Sequence, residues 1–234
     1  MNFLNHSTST QAICAIVAHP DDEILGCAGT LMYYKKLGHP VHILILGEGS
    51  TSREVERNSE NLNECEELKK NAFKALQTMG LDSVDFGDFY DNRFDHHDLL
   101  DIVKRVEEFI QQYKPWIVFT HFANDLNIDH KICNQAVLTA TRPLVGQSVK
   151  EVYAFETLSA TEWQFPLSFQ PDTFVNISDF LELKCQAMLA YSNEIRDFPH
   201  PRSLQGIRLN AEYWGMRVGY PFVEAFSTLR RLIS

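Results

Sequence analysis

Apolar positions along the chain follow two alternating rhythms. Ile13–Ala18 (ICAIVA), Val41–Leu46 (VHILIL), Val84–Phe89 and Trp116–Thr120 (WIVFT) are short apolar runs rich in β-branched and aromatic residues. Such runs suit strands buried on both faces of a parallel sheet. Between them the spacing becomes helical. The segment Asp95–Tyr113 places Leu99, Ile102, Val103, Val106, Phe109, Ile110 and Tyr113 along one face of an amphipathic helix, which Pro115 stops. This alternation predicts an α/β fold, a Rossmann-like three-layer sandwich with a mostly parallel central sheet. After about residue 143 the rhythm changes. Val152–Leu158 and Thr173–Ile177 read as strands, and helical patterns follow near 179–192 and 203–218. No linker rich in Gly, Ser or Pro divides the chain. Residues 1–234 are therefore expected to form one domain, its C-terminal third completing the sheet and walling the site.

Charge and composition narrow the class. Against 31 acidic residues stand 21 basic ones, a formal net charge of -10, in a chain that is 44% hydrophobic. That balance disfavours nucleic-acid backbones and anionic membrane surfaces as partners. No run approaches the ~20 apolar residues of a spanning helix. Met1–Gln11 is polar and lacks the pattern of a signal peptide. The five cysteines form no CxxC pair and no disulfide framework. Reduced thiols in a cytoplasmic protein are expected, each acting as a small buried hydrophobe. Glu48–Glu67, with seven glutamates plus Arg53 and Arg57, reads as a solvated helix face or a loop.

Two polar clusters interrupt this pattern where strands end. Ala18-His19-Pro20-Asp21-Asp22-Glu23 follows the first strand. His121-Phe122-Ala123-Asn124-Asp125-Leu126-Asn127-Ile128-Asp129-His130 follows the fourth and precedes a helical pattern over Lys131–Thr141. In doubly wound sheets ligands bind at the carboxyl ends of strands, beside the point where strand order reverses. Strands one and four are expected to be neighbours there. His19 and Asp22, three apart, are able to converge on one ion, with Asp21 flanking it. Two histidines and one carboxylate leave a coordination position for water, the pattern of a catalytic rather than a structural zinc site. A non-ligating carboxylate beside it can move the water's proton. Each cluster alone also reads as a helix N-terminus, with Asp21 or Asp22 as the cap.

The stretch A18-H-P-D-D-E-I-L-G-C-A-G-T-L31 followed by H121-x-x-N-D-x-N-x-D-H130 resembles the PIG-L/LmbE-like deacetylases. These are zinc-dependent amidases that remove acetyl groups from N-acetylglucosamine-type sugars. The resemblance extends through Asp91-Asn92-Arg93-Phe94-Asp95, His200-Pro201-Arg202-Ser203 and Glu224-Ala225-Phe226, as in members found among cell-surface polysaccharide genes. It implies His19, Asp22 and His130 as ligands of Zn2+ and Asp21 as general base. Fe2+ suits the same donor set. It further implies a small amino-sugar substrate held by Asp91 with Asn92, and by an arginine near the acidic loop, for which Arg53 is the nearest candidate. Several branches of the family carry an oxyanion-stabilising His where this chain has Asn127. An amide can donate to an oxyanion but cannot act as an acid. His121, His200 and Arg202 are candidates for the missing donor, His200 ranked first, and Arg202 is also a candidate for substrate binding. The family often forms trimers or hexamers.

Blander roles stand beside these. Asp129 either fixes a ligand imidazole from behind or starts the helix. Asp125 has the same two readings. Gly26 and Gly29 serve packing, and Glu23 reads as a first-turn helix acid. Glu224 is favoured as a buried partner for an arginine over a site residue. Tyr191, Tyr213 and Trp214 read as core or rim aromatics, and His39, His42, His96 and His97 receive no chemistry. The expected function is hydrolysis of the acetamide of an N-acetylated amino sugar. The alternative is a metal-containing sugar-binding protein without turnover. A nucleotide-binding Rossmann protein is disfavoured, because HPDDEILG is not G-x-G-x-x-G and its carboxylates would repel pyrophosphate.

Overall fold

The structure, a computed structural model, describes residues 10–48 and 59–233. Seven strands form one sheet: β1 (Ile13–Val17), β2 (Val41–Gly47), β3 (Ser83–Phe89), β4 (Ile117–His121), β5 (Glu151–Phe155), β6 (Thr173–Asn176) and β7 (Val223–Arg231). Their order across the sheet is β3-β2-β1-β4-β5-β7-β6. The five strands from β3 to β5 are parallel, and β7 runs antiparallel to both β5 and β6. Among the described residues six α-helices accompany them: α1 (Asp22–Lys36), α2 (Ser59–Met79), α3 (Leu99–Tyr113), α4 (Ile128–Ala140), α5 (Leu181–Met188) and α6 (Leu204–Val218).

The continuous apolar runs are strands because both faces of the sheet are covered. Ile13, Ala15 and Val17 point into a core shared with α1, α2, α5 and α6. Cys14, Ile16 and Ala18 point into the opposite core, closed by α3 and α4. Strand periodicity therefore makes every residue of β1 apolar. Full burial of side chains such as Ile13 and Ile16 stabilises the fold by roughly 1.5–3 kcal/mol each. Gly26 and Gly29 let α1 approach closely, since a Cβ on them would lie 2.2 Å from the Phe155 ring and 2.6 Å from Ile177. All five cysteines are free and buried.

Three expectations needed adjustment. The fifth strand stops at Phe155 rather than Leu158, because Thr157–Ala160 turn away, with Ser159 at φ 69°, to wall a cavity. The third helix starts at Leu99, after a separate 3-10 turn over Phe94–His96. The strand β7 was not anticipated. It inserts antiparallel between β5 and β6, which makes the sheet mixed at that edge.

Candidate metal centre and active site

The strand order reverses between β1 and β4, and both polar clusters emerge there. The Ala18 N–H donates to His121 Nε2 at 2.9 Å and ties the two strand ends together. The chain then turns through His19 and Pro20 into α1. Asp21 occupies the N-cap position with φ 104° and ψ −25°, and its side chain makes no capping bond. Both of its backbone groups are held. Its N–H donates to Glu23 Oε2 at 3.1 Å, and its carbonyl accepts from Ile24 and Leu25 at 2.9 and 3.0 Å. A non-glycine residue at positive φ costs of order 1–3 kcal/mol, a strain that clusters at functional sites. Asp22 does not cap the far helix turn either; its Oδ2 accepts the His19 N–H at 2.7 Å.

Three side-chain atoms converge beside this turn. His19 Nδ1 lies 3.3 Å from Asp22 Oδ2, His130 Nε2 lies 3.5 Å from the same oxygen, and the two nitrogens are 3.3 Å apart. The outward ring nitrogens meet carboxylates. His19 Nε2 is 2.9 Å from Asp129 Oδ2 and 3.2 Å from Asp91 Oδ1, and His130 Nδ1 faces Asp125 Oδ1 at 3.1 Å. Asp129 is also fixed by the Phe94 N–H at 3.0 Å. Acceptors behind the rings place the ring protons outward and leave lone pairs directed at the shared point. The residues therefore fit a cation: two imidazoles and one carboxylate, oriented from behind and open on the cavity side. A second donor group, His19 with Asp91 and Asp129, uses the opposite face of the His19 ring. Its carboxylates hold that ring nitrogen.

The electrostatics favour positive charge at this point. Burial alone would lower His130, but Asp22 and Asp125 outweigh it and push it up to about 9. His19 is raised well above its ordinary value in the same way, its carboxylate partners Asp129 and Asp22 overcoming burial. The adjacent acids diverge. Burial and the charge of Asp22 push Asp21 well above the carboxylate range, with Arg202 opposing. Burial would also raise Asp22, but His130 and His121 hold it well below that range. Neighbouring carboxyls with opposed shifts suit a ligand beside a proton carrier.

A cavity of about 240 Å³ opens onto this cluster. Its polar wall includes Asp21, Asp91, Asn92, Asn127, Glu194 and Arg202, and Leu25, Leu68, Leu158 and Ala160 form an apolar wall. Arg202 Nη1 lies 3.2 Å from Asp21 Oδ2 and 3.4 Å from Glu194 Oε2. Asn127 caps α4, its Oδ1 accepting from the Asp129 N–H at 2.8 Å, and its Nδ2 donates to Asn92 Oδ1 at 2.9 Å. His200 is not part of the cavity wall. Its Nδ1 accepts the Arg202 N–H at 3.2 Å, and its ring meets Trp163 edge to face. The ranking of His200 as oxyanion donor finds no geometric support, whereas Arg202 and Asn127 face the cavity. His121 is buried, its ring nitrogens engaged by Ala18 N–H and Thr157 Oγ1, and it stacks on His130 at 4.0 Å. Burial, with His130 beside it, lowers it to about 4, so it stays neutral. Arg53 lies outside the described residues.

Other assignments resolve similarly. Glu224 is a buried structural partner, of Lys184 at 2.6 Å rather than of an arginine. Glu23 is in the first turn of α1, as expected, but it is buried and accepts from Tyr191 Oη at 2.7 Å. Burial, partly offset by that bond, raises it to about 7. Tyr191 is fully buried and Tyr213 exposed. Sequence reasoning missed Glu194, Thr157, Ser159 and Leu68 as wall residues. Thr157 and Ser159 share the turn after β5, Leu68 is on α2 and Glu194 follows α5, and no local pattern marks any of them.

Residues 14–141 match the family described as GlcNAc-PI de-N-acetylase, PIG-L. The chain is 26% identical to the uncharacterized deacetylase YaiS of Escherichia coli K12 over 183 residues, covering 75% of this chain and 87% of that protein. It is 25% identical to diacetylchitobiose deacetylase of Thermococcus kodakarensis over 222 residues, covering 91% and 80%. Among solved structures, the 4-carboxy-2-hydroxymuconate hydratase GalB of Pseudomonas putida superimposes with a TM-score of 0.77 at 18% identity, covering 96% of this chain and 98% of that one. The same architecture thus carries more than one reaction, and the activity has to be argued from the site.

Proposed function

The chain belongs to the PIG-L family of GlcNAc-PI de-N-acetylases, and on that premise we propose that it is a zinc-dependent N-deacetylase of an N-acetylated amino sugar. The products are acetate and the free amine, and the setting is cell-surface polysaccharide or glycoconjugate synthesis. One observation carries this reading. Asp21 is held at positive φ beside the His19–Asp22–His130 donors without capping the helix it precedes. A protein that only bound metal or sugar would have no use for a strained carboxylate that ligates nothing. Fe2+ is the second metal this donor set would accept.

A divalent cation held by His19, Asp22 and His130 would polarise the acetamide carbonyl and acidify a water molecule. The protein's own groups do the rest. Asp21 takes a proton from the attacking water as its oxygen adds to the carbonyl carbon. The C–N bond then breaks as Asp21 returns the proton to the departing nitrogen. Arg202, 3.2 Å from Asp21 Oδ2, orients the base. Arg202 and the Asn127 amide are the donors proposed for the developing oxyanion, in place of His200. Asp91, Asn92 and Arg202 are proposed to bind sugar hydroxyls, and Arg53 keeps its role as a candidate. A cavity of about 240 Å³ suits one monosaccharide unit, so the aglycone would lie outside it.

The test is a panel of N-acetylated monosaccharides, lipid-linked sugars and nucleotide sugars, assayed for free amine with and without a chelator. Amine release that the chelator abolishes and Zn2+ restores is expected. Metal binding with no amine from any member of the panel would favour the non-catalytic alternative.

A further inference from the structure

The fold spends a buried carboxyl group on one backbone N–H. Glu23 is 1% exposed, and its two oxygens are held from different sides. Oε2 accepts the Asp21 N–H and Oε1 accepts the Tyr191 hydroxyl. A first-turn acid needs no burial to favour the helix dipole, and burying a carboxyl costs several kcal/mol unless it is well partnered. What Glu23 does is specific to Asp21. As the N-cap residue, Asp21 has no intrahelical acceptor for its N–H, and Glu23 is the group that satisfies it. Tyr191 is fully buried in the core shared by α1, α2 and α5, and so fixes the Glu23 side chain from a rigid position.

We infer that Glu23 and Tyr191 are positioning residues that lock Asp21 in its left-handed backbone conformation and so aim its carboxylate into the cavity. Resting on the reading of Asp21 as general base, this adds a device two steps removed from the reacting atoms. Without the Glu23 acceptor, Asp21 relaxes toward negative φ, and its carboxylate swings away from the water it must deprotonate. A displacement of about 1 Å at such a group costs about 100-fold in rate. The metal ligands are untouched, because Asp22 is held by the His19 N–H and not by Glu23.

The experiment uses the full chain loaded with Zn2+ and compares wild type, Glu23→Leu, Glu23→Gln, Tyr191→Phe and Asp21→Asn. The readouts are kcat, KM, zinc content and the crystallographic φ of residue 21. Glu23→Leu should lower kcat about 100-fold with KM and zinc content unchanged, and φ of Asp21 should leave the positive region. Glu23→Gln keeps an acceptor for the N–H and should restore kcat to within about 3-fold. Tyr191→Phe, the least disruptive change, should lower kcat about 10-fold. In an Asp21→Asn background Glu23→Leu should cause no further loss, since the base is already gone. Retention of φ near 104° and of full kcat in both Glu23→Leu and Tyr191→Phe would overturn the inference. An equal proportional loss in the Asp21→Asn background would do the same. Full activity of Asp21→Asn alone would instead overturn the assignment of the base.

Discussion

Replacing Lys184 by Met tests whether Glu224 serves the fold or the chemistry. Lys184 Nζ donates to Glu224 Oε1 at 2.6 Å and to the Leu25 carbonyl at 3.0 Å. Glu224 also accepts from the Gly29 and Thr30 N–H groups at 2.9 and 2.7 Å and from Thr30 Oγ1 at 2.6 Å. The pair thus ties β7 and α5 to the middle of α1, and its side chains are both 5% exposed. Removing one member of a buried pair costs about 3–5 kcal/mol, because the other charge stays behind uncompensated. Met keeps most of the alkyl stem, so little cavity cost is added. The three donors remaining on Glu224 put the expected loss at the lower end, about 3 kcal/mol. In a chain of this size that is a fall in Tm of about 6–12 °C. Urea unfolding at pH 7 should show a lower midpoint with an unchanged m-value. Lys184→Met with Glu224→Gln should recover part of the loss, since no charge is then stranded. A loss below about 1 kcal/mol, or lost turnover with stability intact, would refute the structural role.

Further outcomes follow from the same contacts. Gly26→Ala should destabilise the protein by about 1–3 kcal/mol in thermal denaturation, because the new methyl group meets the Phe155 ring; an unchanged Tm would mean that α1 shifts freely. His200→Ala should leave kcat within about 3-fold, whereas Arg202→Met should lower it by at least about 10-fold; the reverse order would return the oxyanion role to His200. Glu23 also has a pH signature. Its carboxyl rises from 4.5 to about 7 on folding, so between those values the folded protein binds more protons than the unfolded chain. Wild type therefore loses stability relative to Glu23→Gln as pH rises through that window, by up to about 3 kcal/mol, and the difference is flat above it. Denaturation curves at pH 5 and pH 8 with a constant difference would contradict this.

Much of the architecture was legible because it rests on short-range pattern. β1, β2 and β4 are continuous apolar runs, the edge strand β3 alternates apolar and polar residues, and α3 has one clean apolar face with Ile102, Val103, Val106, Phe109 and Ile110 buried. His19 and Asp22 were legible as a converging pair because they are three apart on one turn, whereas His130 was implied by the family resemblance; the structure brings the three candidate donors together. β7 was hidden by its own core. Glu224 on its buried half looks like a break in the apolar alternation until Lys184, 40 residues away, supplies the partner. The strand then runs out through half-exposed Ser227–Arg230, where Leu229 alone is apolar and packs on the core. Glu194 lines the cavity and pairs with Arg202, and no local sequence pattern marks it. His200 misled because its neighbourhood, not its own side chain, carried the resemblance: Arg202 turns inward while His200 packs on Trp163. No helix among the described residues is long and apolar enough to cross a membrane.

The most direct test of the account is amine release by the zinc-loaded protein and its Asp21→Asn variant on an N-acetylglucosamine glycoside, with zinc content measured on both. The proposed reaction predicts a fall in kcat of about 1000-fold in the variant at equal zinc content. Full turnover without the Asp21 carboxylate would contradict it.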